Sequence, residues 1–360
     1  MHNTMPRIIL DCDLMKFPHS GLYHYCQNLT QHINSLLTEE NQGLMQMYLP
    51  PRKKLRLIEE PHHLIERKWH KFMQPFLKDC QLWHAPFQAG RIVPNKRKFP
   101  HVKVVLTIHD LNFLHEGKPA NYQEKSLART QSLIDQSDAI ICISEFTRND
   151  VLTHCTTAGK PVHVIYNGLN PLPQVDDDVT TYKPGREFLL GLGYLNQKKN
   201  YHVLLPLLQS NPDLDLIILG HPDDPDYVVS MRNYAQKLGV SDRLQLPGTV
   251  SEAEKIWYLR HCKAFLHPSL AEGFGLPVIE AMQFGKPVFL SGLTSLPEVG
   301  GDSAFYFPDF SEISVQEVYR QGMKTYETST MAESIIENTK RFNWEKSARQ
   351  YLAVYQSLMS

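Results

Sequence analysis

The chain has 360 residues, 42% hydrophobic and 21% charged, with a formal net charge of −1. Such a composition belongs to a globular protein long enough for two cores of ordinary size. It excludes a membrane-spanning helix, since no stretch approaches ~18 uninterrupted apolar residues. The start of the chain, MHNTMPRIILDCD, has an apolar run too short for a secretory leader and meets Asp11 and Asp13 at once. The six cysteines are scattered with no CxxC pair. Reduced, buried thiols in a cytoplasmic protein are therefore expected, and zinc is not. The near-neutral balance hides an asymmetry: residues 1–170 hold 20 Lys+Arg against 15 Asp+Glu, and the remainder 17 against 23. Much of the excess lies in PRKKLR (Pro51–Arg56), ERKWHK (Glu66–Lys71) and NKRK (Asn95–Lys98). With Trp69, Phe72 and Phe76 interleaved, this basic surface suits anionic lipid headgroups, or forms a solvated loop. Nucleic acid is not an expected partner, because no binding module is present and the overall balance is not basic.

In chain order, Arg7–Cys12 reads as a buried strand of a parallel sheet. A loop follows, with Ser20 as N-cap before Gly21. Leu22, Cys26, Leu29, Ile33 and Leu36 then mark one helix face. Residues 40–100 are polar, basic and proline-broken, with a strand at Leu82–Ala85. Lys103–Ile108 is a buried strand that delivers His109 and Asp110 to its carboxyl end, where open α/β sheets bind ligands. Asp138–Ser144 is the next strand, with Ser144 capping the helix that begins EFTRND; Val162–Tyr166 follows. Pro171–Pro184, with three prolines and the run Asp176–Asp178, has the composition of a linker.

The pattern then restarts. Phe188–Leu192 and Asp215–Leu219 are strands, with a helix expected over Lys199–Leu208 between them. Arg243–Pro247 and Ala264–His267 are further strands, separated by a helix from Glu252 to His261. Alternating strands and helices at this spacing predict a second doubly wound domain. The stretch HPSLAEGFGLPVIEAMQFGKP (His267–Pro287) is its centre: strand, turn, a loop with Gly273 and Gly275, then a helix with Pro277 at its first position. A loop-to-helix junction with glycines in front is a ready anion site. Glu272 precedes the junction, and Glu280 lies deep enough in the helix to accept hydrogen bonds from a diol. The tail, Trp344–Leu358, is an amphipathic helix. Asp11-Cys12-Asp13 matches the DxD of metal-dependent transferases, but so do Asp213–Asp215 and Asp224–Asp226. No metal site is expected from so short a motif.

The string EGFGLPVIE, preceded by HPS and followed by AMQFGKPV, resembles the donor-binding signature of retaining GT-B glycosyltransferases of family 4 (glycosyl transferases group 1). The resemblance extends over nearly the whole chain, residues 40–80 excepted. It implies two doubly wound Rossmann-like domains facing a cleft: 1–170, completed by the C-terminal helix 344–360; a linker, 171–186; and a nucleotide-sugar-binding domain, 187–343. By position it implies that Glu272 meets the donor sugar, that Gly273, Phe274, Gly275 and Leu276 meet sugar and phosphate, and that Glu280 holds the ribose. The string GYLNQKKN maps the diphosphate-binding basic pair onto Lys198 and Lys199, with Lys198 where arginine is commoner and Tyr194 where some relatives have arginine. A point charge there replaces a bidentate fork. TIHDL maps the family's donor-facing histidine onto His109, with Asp110 as its orienting partner or a local cap, and the N-terminal block places Gly21 beside the donor diphosphate or the acceptor.

Together these imply hexose transfer from a nucleotide-sugar co-substrate, with His109, Glu272 and Lys199 catalytic and no metal or other cofactor. The His109-Asp110 string, the N-terminal block and the KKN variant look most like bacterial mannosyltransferases of surface polysaccharide assembly. GDP-mannose is the donor this implies, with a UDP-hexose second. A glycan or lipid-linked acceptor at the inner membrane face fits a cytoplasmic enzyme with a basic, aromatic-bearing first domain. A non-catalytic sugar-binding relative, or an epimerase or phosphorylase of the same fold, is the alternative.

Overall fold

A computed structural model describes residues 7–17, 20–39, 45–51, 63–88, 93–173, 176, 179–180 and 183–360. Pro18, most of the basic stretch Pro51–Arg56, and Asp177 and Asp178 of the expected linker lie outside the described residues. The chain divides into two compact units: Met1–Gly168 with Phe342–Ser360, and Leu169–Arg341.

The first unit holds seven parallel strands: β1 (Ile8–Asp11), β2 (Met45–Leu49), β3 (His63–Ile65), β4 (Leu82–Ala85), β5 (Lys103–Ile108), β6 (Ala139–Cys142) and β7 (Val162–Val164). They lie side by side in the order β3-β2-β1-β4-β5-β6-β7. A parallel sheet is covered on both faces, so its strands read as continuous apolar runs rather than alternating ones; β1, β4 and β6 are buried at every position. Three helices, α1 (Gly21–Glu39), α2 (Ala120–Gln136) and α3 (Glu145–His154), connect them. The N–H of Tyr23 donates to Ser20 Oγ at 3.2 Å, which caps α1. Cys26, Leu29, Ile33 and Leu36 are the buried face of that helix, while Leu22 is half-buried.

The C-terminal helix (Trp344–Met359) packs Ala348, Leu352 and Tyr355 into the same core as α1. Polar groups within this core are paired. The hydroxyls of Tyr25 and Tyr351 meet at 2.7 Å. His84 lies 2.8 Å from Thr107 Oγ1 through Nε2, and 2.7 Å from the Tyr355 hydroxyl through Nδ1. Burial pushes His84 down to about 3, so the ring is neutral, donating at one nitrogen and accepting at the other.

The second unit has six parallel strands: β8 (Glu187–Leu192), β9 (Leu214–Leu219), β10 (Leu244–Gly248), β11 (Ala264–His267), β12 (Val288–Ser291) and β13 (Phe305–Phe307), in the order β10-β9-β8-β11-β12-β13. Its helices are α4 (Pro206–Ser210), α5 (Pro225–Lys237), α6 (Glu252–His261), α7 (Leu276–Met282), α8 (Leu296–Gly300), α9 (Glu312–Glu327) and α10 (Met331–Thr339). In each unit the chain winds out one way from its first strand, then returns to build the other half. The reversal falls between β1 and β4 in one sheet and between β8 and β11 in the other. Such a switch point leaves a crevice at the strands' carboxyl ends.

Two sequence expectations are corrected. The helix over Lys199–Leu208 is instead a 3-10 turn (Gln197–Lys199), a second one (Tyr201–Leu204) and α4. Asn200 interrupts it in the left-handed region, at φ 58°. Asparagine tolerates that conformation, and Pro206 supplies no N–H to continue an earlier turn. Pro277 is the second residue of α7 rather than the first, because Gly275 is the N-cap.

Gly168 closes the first segment of the first unit directly against the last helix: a Cβ built on it would lie 2.3 Å from Trp344 N. The contact is with backbone, which cannot step aside. We expect Gly168→Ala to destabilise the protein by about 1–3 kcal/mol, read as a lower urea midpoint at unchanged m-value.

Candidate active site

The second unit's switch point gathers the loops that follow β8 and β11. After β8, Asn196 accepts the N–H of Lys199 on its side chain, holding the 3-10 turn that turns Lys199 inward. Lys199 is only 9% exposed, unusual for a lysine without a partner. After β11, the loop is stitched to the Lys198–Lys199 turn. Leu270 N–H donates to the Lys198 carbonyl at 2.8 Å, and Ser269 Oγ donates to the same oxygen at 3.3 Å. From the other side, Ser291 Oγ donates to Ser269 O at 2.6 Å. Glu272 N–H donates to Thr294 Oγ1 at 2.9 Å, and Ser295 Oγ donates to Glu272 O at 2.9 Å.

What these bonds position is the Glu272 carboxylate, whose side chain is 13% exposed. Its Oε1 accepts from Lys199 Nζ and, at 2.8 Å, from Nε2 of His267, the last residue of β11. Burial by itself raises a carboxyl pKa; here the Lys199 ammonium and the His267 hydrogen bond outweigh it and hold Glu272 well below the usual carboxylate range. Burial, with Lys199 and Lys198 nearby, lowers His267 against the opposing pull of Glu272. The imidazole is therefore neutral with its proton on Nε2, because an ionised carboxylate can only accept. Nδ1 is buried with no hydrogen-bond partner.

Beyond Glu272 the backbone passes through Gly273 and the buried Phe274 into Gly275, whose φ of 99° favours glycine; a Cβ there would also meet Leu296 Cδ2 at 2.9 Å. Leu276 opens α7. Helix-start amides without intrahelical partners make this junction receptive to an anion. Glu280, on α7, pairs at 2.9 Å with Lys255 of α6, which also holds Glu252 at 2.7 Å. Burial raises Glu280 while Lys255 pulls it down, the net direction being up. Lys198 is half-buried on the turn beside Lys199.

His109 and Gly21 belong to the first unit. His109 is buried at the end of β5, where Nε2–H donates to the Pro86 carbonyl at 2.8 Å and the ring meets Tyr25 edge-on at 4.8 Å. Burial pushes it down to about 4. The imidazolium form is thus disfavoured near neutral pH, and the neutral ring keeps Nδ1 as an acceptor. The Pro86 carbonyl orients His109, while the Asp110 carboxylate accepts the N–H of Asn112 at 3.1 Å as a local cap. Gly21 is the exposed first residue of α1. Asp11 and Asp13 are engaged locally: Asp13 N–H donates to Asp11 Oδ1 at 3.2 Å, and Lys16 donates to Asp13 at 2.8 Å. Burial pushes Asp11 up to about 7. Among the described residues no group of three or more His, Cys, Asp or Glu could hold a metal ion.

Four members of the site were not expected from sequence. His267 lay in the quoted HPS string, so its neighbourhood was visible but its contact was not; Thr294 and Ser295 lie outside the strings quoted above. Lys255 carried no signal beyond helix periodicity.

Residues 175–342 match the family described as Glycosyl transferases group 1, and residues 35–171 match Glycosyltransferase Family 4. O-antigen chain mannosyltransferase B of Escherichia coli is 25% identical over 278 residues, covering 71% of this chain and 71% of that protein. Serotype-specific mannosyltransferase WbdA of Escherichia coli is 26% identical over 287 residues, which span 71% of this chain but 34% of that longer protein. Among solved structures, Anabaena Alr3699/HepE in complex with UDP-glucose has the same fold, at a TM-score of 0.73 and 18% identity over 98% of this chain and 99% of that one. Two doubly wound units, a buried Lys–Glu pair at the second unit's switch point and family matches that together run from residue 35 to 342 lead to one conclusion: the chain belongs to the family 4 (group 1) glycosyltransferases, of GT-B fold.

Proposed function

We propose that this protein is a retaining mannosyltransferase that moves mannose from GDP-mannose to a glycan or lipid-linked acceptor in cell-surface polysaccharide synthesis. The observation that carries the reading is the Lys199–Glu272–His267 cluster at the switch point of the second unit. An ionised carboxylate kept dry is suited to sugar hydroxyls, which are donors. The ammonium beside it, with Lys198 and the amides from Gly273 to Leu276, supplies fixed positive charge where a departing nucleoside diphosphate gains negative charge. In this reading Glu280 receives the ribose hydroxyls, and its ion pair with Lys255 aims it. No pair of carboxylates at glycosidase spacing is needed: the anomeric C–O bond to phosphate breaks, the acceptor oxygen adds to the same face, and its proton leaves with the diphosphate. His109, neutral, contributes a hydrogen-bond acceptor for a sugar hydroxyl, and Gly21 leaves backbone room at the start of α1. The charge stabilisation comes from protein groups, so the reading requires no metal. The mannosyl donor is supported by the names of the Escherichia coli relatives; the UDP-glucose held by the Anabaena protein supports a UDP-hexose as the second reading.

We also place the enzyme at the cytoplasmic face of the membrane. Among the described residues, Trp69, Phe72 and Met73 are 43%, 81% and 67% exposed, with Arg67, Lys68, Lys71 and Lys78 exposed around them. The turn that projects them is rigidly held: His70 is buried against the Tyr48 hydroxyl at 2.8 Å, and Phe76 and Leu77 are core residues. Exposed aromatics within a cationic rim fit the interface of an anionic bilayer. No described helix is long and apolar enough to cross one.

Three measurements check these statements. In a panel of GDP, UDP, ADP and their sugars, GDP and GDP-mannose should give the largest rise in melting temperature, unchanged by EDTA, because a ligand that binds only the native state stabilises it by mass action. A UDP-selective shift would overturn the donor while keeping the site. Glu272→Ala and Lys199→Ala should each lower kcat by about 10²-fold or more. Only Lys199→Ala should also weaken GDP itself, and an activity untouched by both would refute the assignment. Finally, the protein should float with phosphatidylglycerol-containing liposomes at low salt, and Phe72→Glu with Met73→Glu should leave it in the bottom fraction; a wild-type protein that never floats ends the membrane reading.

A further inference from the structure

His267 carries an unsatisfied polar atom into the second unit's core. Its ring is fully buried at the end of β11 and stacked on Phe265 at 5.9 Å and 13° between planes, yet one of its two nitrogens has no partner. Burying an unpaired nitrogen is destabilising relative to an apolar side chain of the same shape. Packing does not explain it, since phenylalanine would fill that space without the penalty. The ring's one polar engagement is Nε2–H to Glu272 Oε1 at 2.8 Å.

That bond has a geometric consequence. Lys199 and His267 both donate to the same carboxylate oxygen, Oε1. Two donors, one in the turn after β8 and one at the end of β11, fix the rotation of the carboxylate about its last bond. They are not equivalent. Lys199 is a flexible ammonium that an anionic ligand can draw away, whereas His267 is part of β11 and cannot follow. Tyr201 and Lys198, the other titratable groups acting on Glu272, come from the β8 side.

We propose that His267 is a positioning residue of the transfer site: it holds Oε1 of Glu272 so that Oε2 is presented to a hydroxyl of the donor sugar, and goes on holding it while Lys199 turns to the diphosphate. The proposal rests on the transferase reading given above, but its structural half can be measured without a substrate. The variants are His267→Phe, which keeps the ring and loses the donor, and His267→Gln, which keeps a donor. The ligand-free measurement is the carboxyl titration of Glu272 by 13C NMR, assigned with Glu272→Gln. His267→Phe should shift that titration upward, and His267→Gln should return most of the shift. The functional measurement is kinetics with GDP-mannose beside GDP affinity. His267→Phe should lower kcat at least tenfold and move the acid limb of the pH profile upward, with the dissociation constant of GDP within twofold of wild type, and His267→Gln should recover most of kcat. A folded His267→Phe protein with the wild-type Glu272 titration, or with wild-type kcat and pH profile, overturns the proposal. Should the wild type bind no nucleotide sugar at all, the transferase reading fails, while the Glu272 titration still decides whether His267 pins the carboxylate.

Discussion

A carboxylate taken out of water must be surrounded by donors, and much of the second unit's local structure follows from meeting that demand at Glu272. The donors come from separate places in the chain: Lys199 from the turn after β8, and His267 from the end of β11. Bringing them to one oxygen requires those two strands to be neighbours and the turns beyond them to be fixed. The hydrogen bonds from Leu270 and Ser269 to the Lys198 carbonyl, and those joining Thr294 and Ser295 to Glu272, serve that end. Breaking such a pair leaves a buried charge uncompensated, at a cost of about 3–5 kcal/mol. The cluster is accordingly a structural necessity as well as a chemical resource.

The same topology explains why the site is where it is. With all strands parallel, the carboxyl ends of a sheet collect every loop that enters a helix, and the reversal in strand order parts those loops at one place. In the first unit His109 stands at such an end, neutral and held by the Pro86 carbonyl, over a core in which Tyr25, Thr107, His84, Tyr351 and Tyr355 satisfy one another. The last helix supplies two of those hydroxyls, so the end of the chain is built into the interior that supports His109.

Much of this was legible beforehand. Leu82–Ala85, Lys103–Ile108 and Ala264–His267 are strands with the boundaries their apolar runs suggest, and Glu252–His261 is a helix closed by a capping box between Ser251 and Glu254. Apolar runs between polar turns are local signals. The stretch from Lys199 to Leu208 misled because its apolar spacing fits a helix, whereas Asn200 at φ 58° and the proline at 206 break it into three. That break is what gives Lys199 its inward course. Glu272 and Lys199 were visible as motif residues; the convergence on Oε1, the orphan Nδ1 of His267 and the Glu280–Lys255 pair were not.

The amino-acid sequence alone determined two rounds of alternating strands and helices, the positions of their glycine loops, and which acids and lysines stand beside them, because periodicity, capping and turn chemistry act over a few residues. Tertiary structure decided which of those groups meet and in what charge state. Lys199 and Glu272 are 73 positions apart, and His84 and Tyr355 are 271 apart. Whether a histidine is neutral or a carboxylate ionised depends on burial and on neighbours that only the folded sheet brings within hydrogen-bond reach.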